Sequence, residues 1–320
     1  MRSPSACVES PGAAMARGAR LAEAARQTTP LAIFYVALWA SAYVPSKIGA
    51  SQSPAFWFLV GRFLTAGLAM LAICLVLRRR FPTRVRDWLQ FAAMGVLANA
   101  AYLGLTYTAL GAGLAAGIAS IVASTNPLVL AVIAPALLQE PLRPSKAVGM
   151  LLGFAGVLGV TLARTGSGTA EPTLVALAFA GVVCNVCATV IFSRTRRGHD
   201  LLAINSIQLL AAGVAVVPAA VLLDGPPRAE LTGVVVLSFA YLVLVLSVGA
   251  SLLWFWLLSR GAASQVSAFY FLTPVFGVAF GALLLHEPVL PSDLLGLLAT
   301  VLGIILVQRR SESTLPRTRT

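Results

Sequence analysis

The sequence predicts an all-α integral membrane protein: ten transmembrane helices arranged as two inverted five-helix repeats. Three observations carry that prediction. Of the 320 residues, 58% are hydrophobic and only 11% charged, too few to give a soluble chain of this size a polar shell. The apolar residues fall into ten continuous runs, each near the roughly 20 residues that carry a helix across a hydrocarbon core of roughly 30 Å. The chain also repeats itself at an offset of 147 positions. A membrane barrel would instead need alternating strands of about ten residues, and these Leu- and Ala-rich runs do not alternate.

Residues 1–30 are rich in Ala, Ser, Gly, Pro and Arg and lack the apolar segment of a cleaved signal peptide. They are expected to form a disordered cytoplasmic tail, within which Met15 is an alternative start. The first helix, Leu31–Ala50, puts Trp39 and Tyr43 one turn apart on one face, available to a bound molecule or to packing. Pro45 should loosen it just beyond, and Lys47 anchors its outer end or lines a vestibule there. The second, Pro54–Leu77, carries Arg62 about two turns inside. A charge at such depth costs about 2.5–3.5 kcal/mol on insertion scales. Arg62 therefore either holds an anionic group or helix end beside a cavity, or snorkels to the outer headgroups; Gly61 beside it permits close helix approach.

The third helix, Trp88–Leu110, offers Asn99 and Tyr102. The fourth, Gly113–Leu138, contains Asn126-Pro127, whose proline frees the Ala123 carbonyl and should kink the helix. The fifth, Pro144–Ala163, has a G-x-x-x-G spacing from Gly149 to Gly153 that continues through Gly156 and Gly159, suited to close contact with another helix of the same chain. The sixth, Pro172–Phe192, contributes Asn185. Its Cys184 and Cys187 are expected to be packing residues, since zinc needs about four ligands and the two histidines, His199 and His286, fall in loops on opposite faces. The seventh, Leu201–Leu223, supplies Asn205 and Gln208, and the eighth, Leu231–Leu258, supplies Trp254, onto which the offset carries Tyr107. The ninth, Ala262–Leu285, holds Thr273-Pro274, which frees the Tyr270 carbonyl and predicts a second kink. The tenth, Pro291–Val307, leads into a short basic tail at 309–320. The neutral polar side chains can serve a solute or tie one helix to the next.

With the N-terminus in the cytoplasm, nineteen of the twenty-three Lys and Arg fall on the cytoplasmic face, and Lys47, Arg164 and Arg228 on the other. The positive-inside rule thus puts both termini in the cytoplasm, in a plasma or bacterial inner membrane. The net charge of +12 is then a topology signal with attraction to anionic lipid, and no nucleic acid is implied as a partner.

The repeat lays LLQEPLRPSKAVG (137–149) on LLHEPVLPSDLLG (284–296) with seven of thirteen positions identical, and carries Pro127 onto Pro274, Gly156 onto Gly303 and Lys47 onto Arg194. An offset of 146 aligns Gly67 with Gly213. The repeat units span 31–163 and 172–308, and because each holds an odd number of helices the second enters the membrane from the opposite side. Inverted repeats recur in secondary transporters, with the site near the midplane between the halves. Two near-equivalent halves make two states of similar energy that open to opposite sides. Kinked helices expose backbone polar groups that are tolerated at depth only against protein or an aqueous cavity, so helices four and nine are predicted cavity walls. The predicted cavity draws Trp39, Tyr43, Arg62, Asn99, Tyr102 and Asn126 from the first half and Asn185, Trp254, Tyr270 and Thr273 from the second.

Glu140 and its repeat partner Glu287 fall by parity on opposite faces, one latch beside each gate. Glu140 is expected to cap the amides of Ser145 and Lys146 that open helix five, the alternative being a solvated loop charge. No H-E-x-x-H, G-x-S-x-G or paired membrane carboxylates occur, so the chain is not expected to be an enzyme. A membrane scaffold or receptor would leave the duplication and matched prolines unexplained. No Asp or Glu occupies midspan, which leaves exchange open beside proton coupling.

WASAYVPSKIGA in helix one, FLVGRFLTAGLAM in helix two, the STNP and FLTP prolines and the doubled E-P-x-x-P-S resemble the EamA group of the drug/metabolite transporter superfamily, over roughly residues 31 to 308. The resemblance implies a ten-helix bundle with cytoplasmic termini that exports or exchanges small metabolites such as amino acids, without a cofactor, and it places an arginine at the position of Arg62. Multidrug efflux and nucleotide-sugar or phosphate-ester exchange are the alternatives; the latter would favour several cavity cations. Monomer and homodimer both remain compatible.

Overall fold

The computed structural model describes residues 28–138, 144–166, 171–195, 198–227, 232–260 and 269–308. They form α1 (Thr28–Gln52), α2 (Ala55–Val76), α3 (Val85–Gly111), α4 in two segments (Ala116–Ala123 and Asn126–Leu138) and α5 (Pro144–Gly166). The second half follows as α6 (Pro172–Thr195), α7 (Leu201–Asp224), α8 (Gly233–Ser259), α9 (Tyr270–Leu285) and α10 (Pro291–Gln308). Eight of these are long and apolar enough to cross a membrane, and α9 and α10 are shorter apolar helices over the described residues. Several ends differ from the apolar runs: α1 begins at Thr28 rather than Leu31, and α3 at Val85 rather than Trp88. An apolar run marks only the hydrocarbon, whereas the helix continues into the headgroup layer while its backbone bonds are satisfied. At α3 the Trp88 indole donates to the Pro82 carbonyl at 2.8 Å, tying the first turn to the loop before it.

Large apolar side chains such as Leu75, Val76, Leu151, Leu222, Leu237 and Leu283 are exposed on the outside. In water that surface would drive aggregation; against lipid tails it costs nothing. The interior packs around Leu59, Phe63, Met70, Tyr107, Leu110 and Leu242.

The packing map repeats when each helix is exchanged for its counterpart five later. α2 lies on α7, α4 on α9 and α5 on α10, each pair its own image, while α1 on α8 is the image of α6 on α3. The glycines show the same relation atom by atom. A Cβ on Gly67 would lie 2.8 Å from Leu210 Cγ, and one on Gly213 would lie 2.8 Å from Leu64 Cγ. One on Gly156 would lie 2.6 Å from the Gly296 carbonyl, and one on Gly303 would lie 2.5 Å from that of Gly149. Reciprocal contacts at a constant offset are what a two-fold between halves produces, and five helices per half make those halves inverted. The G-x-x-x-G run of α5 therefore serves the seam with α10 inside the same chain.

This seam allows no added carbon. Gly303→Leu places Cβ within 2.6 Å of the Gly153 backbone nitrogen as well, where no rotamer change relieves the overlap. The variant is expected to lose monodisperse protein on size exclusion in detergent, whereas Gly159→Leu, with nothing within 4 Å of its Cβ, is expected to match the parent.

Six helices among the described residues depart from regular geometry, α7 by the π turn Ala220–Asp224 that ends it. α1 breaks at Ala42, where the Pro45 ring crowds the Ser41 carbonyl; the Ser41 hydroxyl bonds the Leu38 carbonyl at 2.6 Å and the Tyr241 hydroxyl at 2.7 Å. α4 breaks at Ser124-Thr125, and the Asn126 amide donates at 2.8 Å to the Ala123 carbonyl that Pro127 leaves without its usual donor. α3 and α8 widen into π turns at Val96–Ala101 and Tyr241–Ala250, which overlap under the repeat offset. α9 opens with a 3₁₀ turn, Tyr270–Leu272, and Pro274 sits in the first turn of the α-helical part. Residues 261–268, the start of the predicted ninth span, lie outside the described residues.

Candidate functional site

The breaks in α1, α3 and α8 surround a cavity of about 240 Å³ between the halves. α1 supplies Trp39, Tyr43 and Ser46; α2 supplies Arg62 and Phe63; α3 supplies Asn99, Tyr102 and Thr106. From the second half come Asn185, Asn205 and Gln208, with Ser247 inside the π turn of α8 and Ser251 just beyond it. A π turn offsets the side chains within and after it around the helix by part of a turn, and Asn99 and Ser247, inside the two π turns, stand at the cavity wall. Gly95 brings α3 directly onto the Gln208 backbone, where a Cβ would overlap the carbonyl oxygen.

At the deep end the Tyr43 and Tyr102 hydroxyls lie 3.3 Å apart. Arg62 is 7% exposed, and its Nη1 donates to the Tyr107 hydroxyl over a long 3.4 Å. Its Nε meets no acceptor among the described residues, and neither does the Asn205 amide nitrogen, also buried. Among the described residues no carboxylate pairs with Arg62, and none lines the cavity.

A second cavity of about 260 Å³ shares Trp39, Asn185, Asn205, Gln208 and Ser251 with the first and continues toward Phe192, Leu201 and Phe255. These last three lie near the end of α6, the start of α7 and the end of α8, all on the side where α1 begins. Tyr35 stands in this mouth, stacked on Trp39 at 6.3 Å and on Trp254 at 5.6 Å between ring centroids.

Of the predicted cavity residues, Trp39, Tyr43, Arg62, Asn99, Tyr102 and Asn185 line the inner chamber and Trp254 the mouth. Asn126 stands behind the wall: its carbonyl oxygen accepts from the Asn185 amide at 3.4 Å, joining α4 to α6. Thr273 is 1% exposed with an unpartnered hydroxyl, and neither it nor Tyr270 lines either chamber. Ser46, Thr106, Ser247 and Ser251 escaped the sequence reading. A lone Ser or Thr in an apolar helix is too common to single out, and which of them face inward depends on how each helix is turned about its own axis.

The opposite end is closed. Glu287, in the loop after α9, accepts from the amides of Ala116 at 2.7 Å and Gly117 at 3.1 Å, the free amides that open α4. Lys47 lies 3.2 Å from the same carboxylate and donates to the Leu114 carbonyl at 2.9 Å. α1, α4 and the α9–α10 loop are thus pinned together across the two halves. The capped helix belongs to the other half, not to the helix that follows the glutamate, as the expectation for Glu140 would have it. Glu140 itself lies outside the described residues. The helix after Glu287 is served by Asp293, which accepts from the Leu290 amide at 2.8 Å.

Asp293 also forms a buried pair that the sequence reading missed. Arg164 at the end of α5 donates through Nε to Asp293 at 3.0 Å, through Nη2 to the second carboxylate oxygen, and to the Pro288 carbonyl at 2.8 Å. The two residues are 5% and 3% exposed. They hold in place the loop that presents Glu287. The available signal was the charge itself, since Arg164 was one of few cations assigned to that face.

A duplicated all-helical membrane protein with a polar chamber at the seam of its halves is a solute transporter by class. The chain belongs to the EamA-like transporter family, whose model matches residues 28–162 and again 173–309. Relatives include the uncharacterized transporter YvbV of Bacillus subtilis (strain 168), 28% identical over 90% of this chain and 93% of that protein. The uncharacterized inner membrane transporter YedA of Escherichia coli (strain K12) is 28% identical over 88% and 92% of the two chains. A probable amino-acid metabolite efflux pump of the same strain is 25% identical over 88% and 94%. A protein of known crystal structure shares the fold, with a TM-score of 0.60 over 88% of this chain and 96% of its own at 19% identity. The chain is accordingly a multi-pass membrane transporter and not an enzyme.

Proposed function

We propose that the protein exports or exchanges small metabolites, amino acids among them, across the plasma or bacterial inner membrane by alternating access between its two repeat units, 31–163 and 172–308. The observation that carries this reading is the chamber at the seam, open toward the side where α1 begins and closed at the other by Lys47 and Glu287. With both termini cytoplasmic, as the charge distribution favours, this is the inward-open state. A chamber with one cation, three neutral amides beside Asn99, and a ring of aromatic faces suits a small amphipathic solute better than a phosphate ester, which would want several cations.

Reconstitution into liposomes with labelled amino acids, dyes and sugar nucleotides, with and without a proton gradient, tests the proposal. Counterflow of at least one amino acid above empty liposomes is expected; no movement of any solute removes the transport reading.

The closed end makes its own prediction. Glu287→Gln weakens both the cap on α4 and the pair with Lys47, so the outer seam should open more often. A cysteine at Ser46, in a background without native cysteines, is expected to react several-fold faster with an impermeant maleimide from outside. An unchanged labelling rate would remove the latch from the mechanism.

A further inference from the structure

Two side chains that line one chamber carry buried donors without acceptors among the described residues, and that chamber's lining holds one formal charge. Arg62 Nε and Asn205 Nδ2 both lie in side chains that line it, and neither has a partner among the described residues. An orphaned amide donor is costly and an unpaired buried cation more so, and native structures keep such groups where something from outside satisfies them. From this pair we infer that the transported solute is gripped by a carboxylate, seated between the Arg62 guanidinium and the Asn205 amide, and that an ammonium group is not what the site recognises.

The charge inventory decides between the two ends of a zwitterion. A carboxylate entering the chamber exchanges water for a guanidinium and an amide N–H, a charge-assisted pair. An ammonium entering it meets only neutral oxygens and aromatic faces, because no Asp or Glu lines the wall. Trp39, Tyr43, Tyr102 and Phe63 then receive the apolar body. One guanidinium balances one negative charge, which fits a monoanion and leaves a phosphate dianion short of a partner. An amino acid fits through its carboxylate, and the corresponding acid without the amino group should fit at least as well. This deepens the transport reading above and rests on it for the word "transported", though the binding claim is testable alone.

The test uses matched ligands on the purified full chain in detergent, read by thermal shift and by tryptophan fluorescence: 4-methylpentanoate, its amide, isopentylamine and leucine. The acid and leucine are expected to bind at least tenfold more tightly than the amide and the amine. That preference should vanish in Arg62→Gln and shrink several-fold in Asn205→Leu, with each variant's unliganded melting temperature recorded first. Should Arg62→Gln not fold, Asn205→Leu and the wild-type series decide the matter. Amine or amide binding equal to that of the acid overturns the inference, as does failure of 4-methylpentanoate and leucine to bind at all. Acid binding with no solute moved in liposomes would remove the transport reading and leave the carboxylate site standing. Movement of amines or neutral solutes without acid binding would do the reverse.

Discussion

Arg62→Met is expected to give a protein that is more stable than the parent and moves no solute. The guanidinium is 7% exposed, and among the described residues its Nε has no acceptor and its one polar contact is a 3.4 Å approach to Tyr107. Insertion of an arginine at midspan costs about 2.5–3.5 kcal/mol, and a site that retains such a charge gives up stability for binding. Methionine fills much of the same volume without the charge and should recover about 1–3 kcal/mol of that cost. Denaturation of the purified variant measures the gain, and counterflow in liposomes measures the loss. A variant that melts lower than the parent and transports like it would make Arg62 a structural anchor only.

Asp293→Asn should have the opposite character, a large loss of stability before any question of transport arises. The carboxylate receives Arg164 through both oxygens and the Leu290 amide besides. Removing one partner of a buried pair leaves the other charge uncompensated, at a cost of about 3–5 kcal/mol. The loop carrying Glu287 would be freed as well, because Arg164 also holds the Pro288 carbonyl. Arg164→Leu combined with Asp293→Leu removes both charges and is expected to recover most of the loss, since hydrophobic replacement of a whole buried pair is often near neutral. If the single variant melts with the parent, the pair contributes nothing to the fold.

The two residues also mark where local reasoning ends. Arg62 is conspicuous in one dimension: a charge inside an apolar run breaks the rule that makes the run recognisable. The duplicated E-P-x-x-P-S motif is equally plain, whereas the G-x-x-x-G run of α5 signalled only a close contact with some helix of the same chain, and the structure supplied α10 as the partner through Gly156 and Gly303. Asp293 directly follows that motif, yet its partner is 129 residues away and announces itself by no spacing. Glu287 shows the same limit in sharper form. Sequence proximity favoured a cap by Glu140 on the helix that follows it; the structure seats Glu287, its repeat partner, on α4, 171 residues earlier.

The sequence by itself determined the ten apolar spans, the doubling of a five-helix unit, its inversion by parity and the depth of Arg62. All of these are properties of a single helix against lipid or of the chain against itself, and hydropathy and self-comparison read them directly. Only the tertiary structure decided which polar residues face one another. It brought Asn205 and Arg62 to one chamber, set Asn126 behind the wall, turned Ser247 inward through a π turn and joined Lys47 to Glu287. Those outcomes depend on the angular phase of each helix and on which neighbour it packs against. In a bilayer a run of apolar residues is equally content with lipid or protein on any side, so hydropathy leaves that phase open, and small-residue packing between helices sets it.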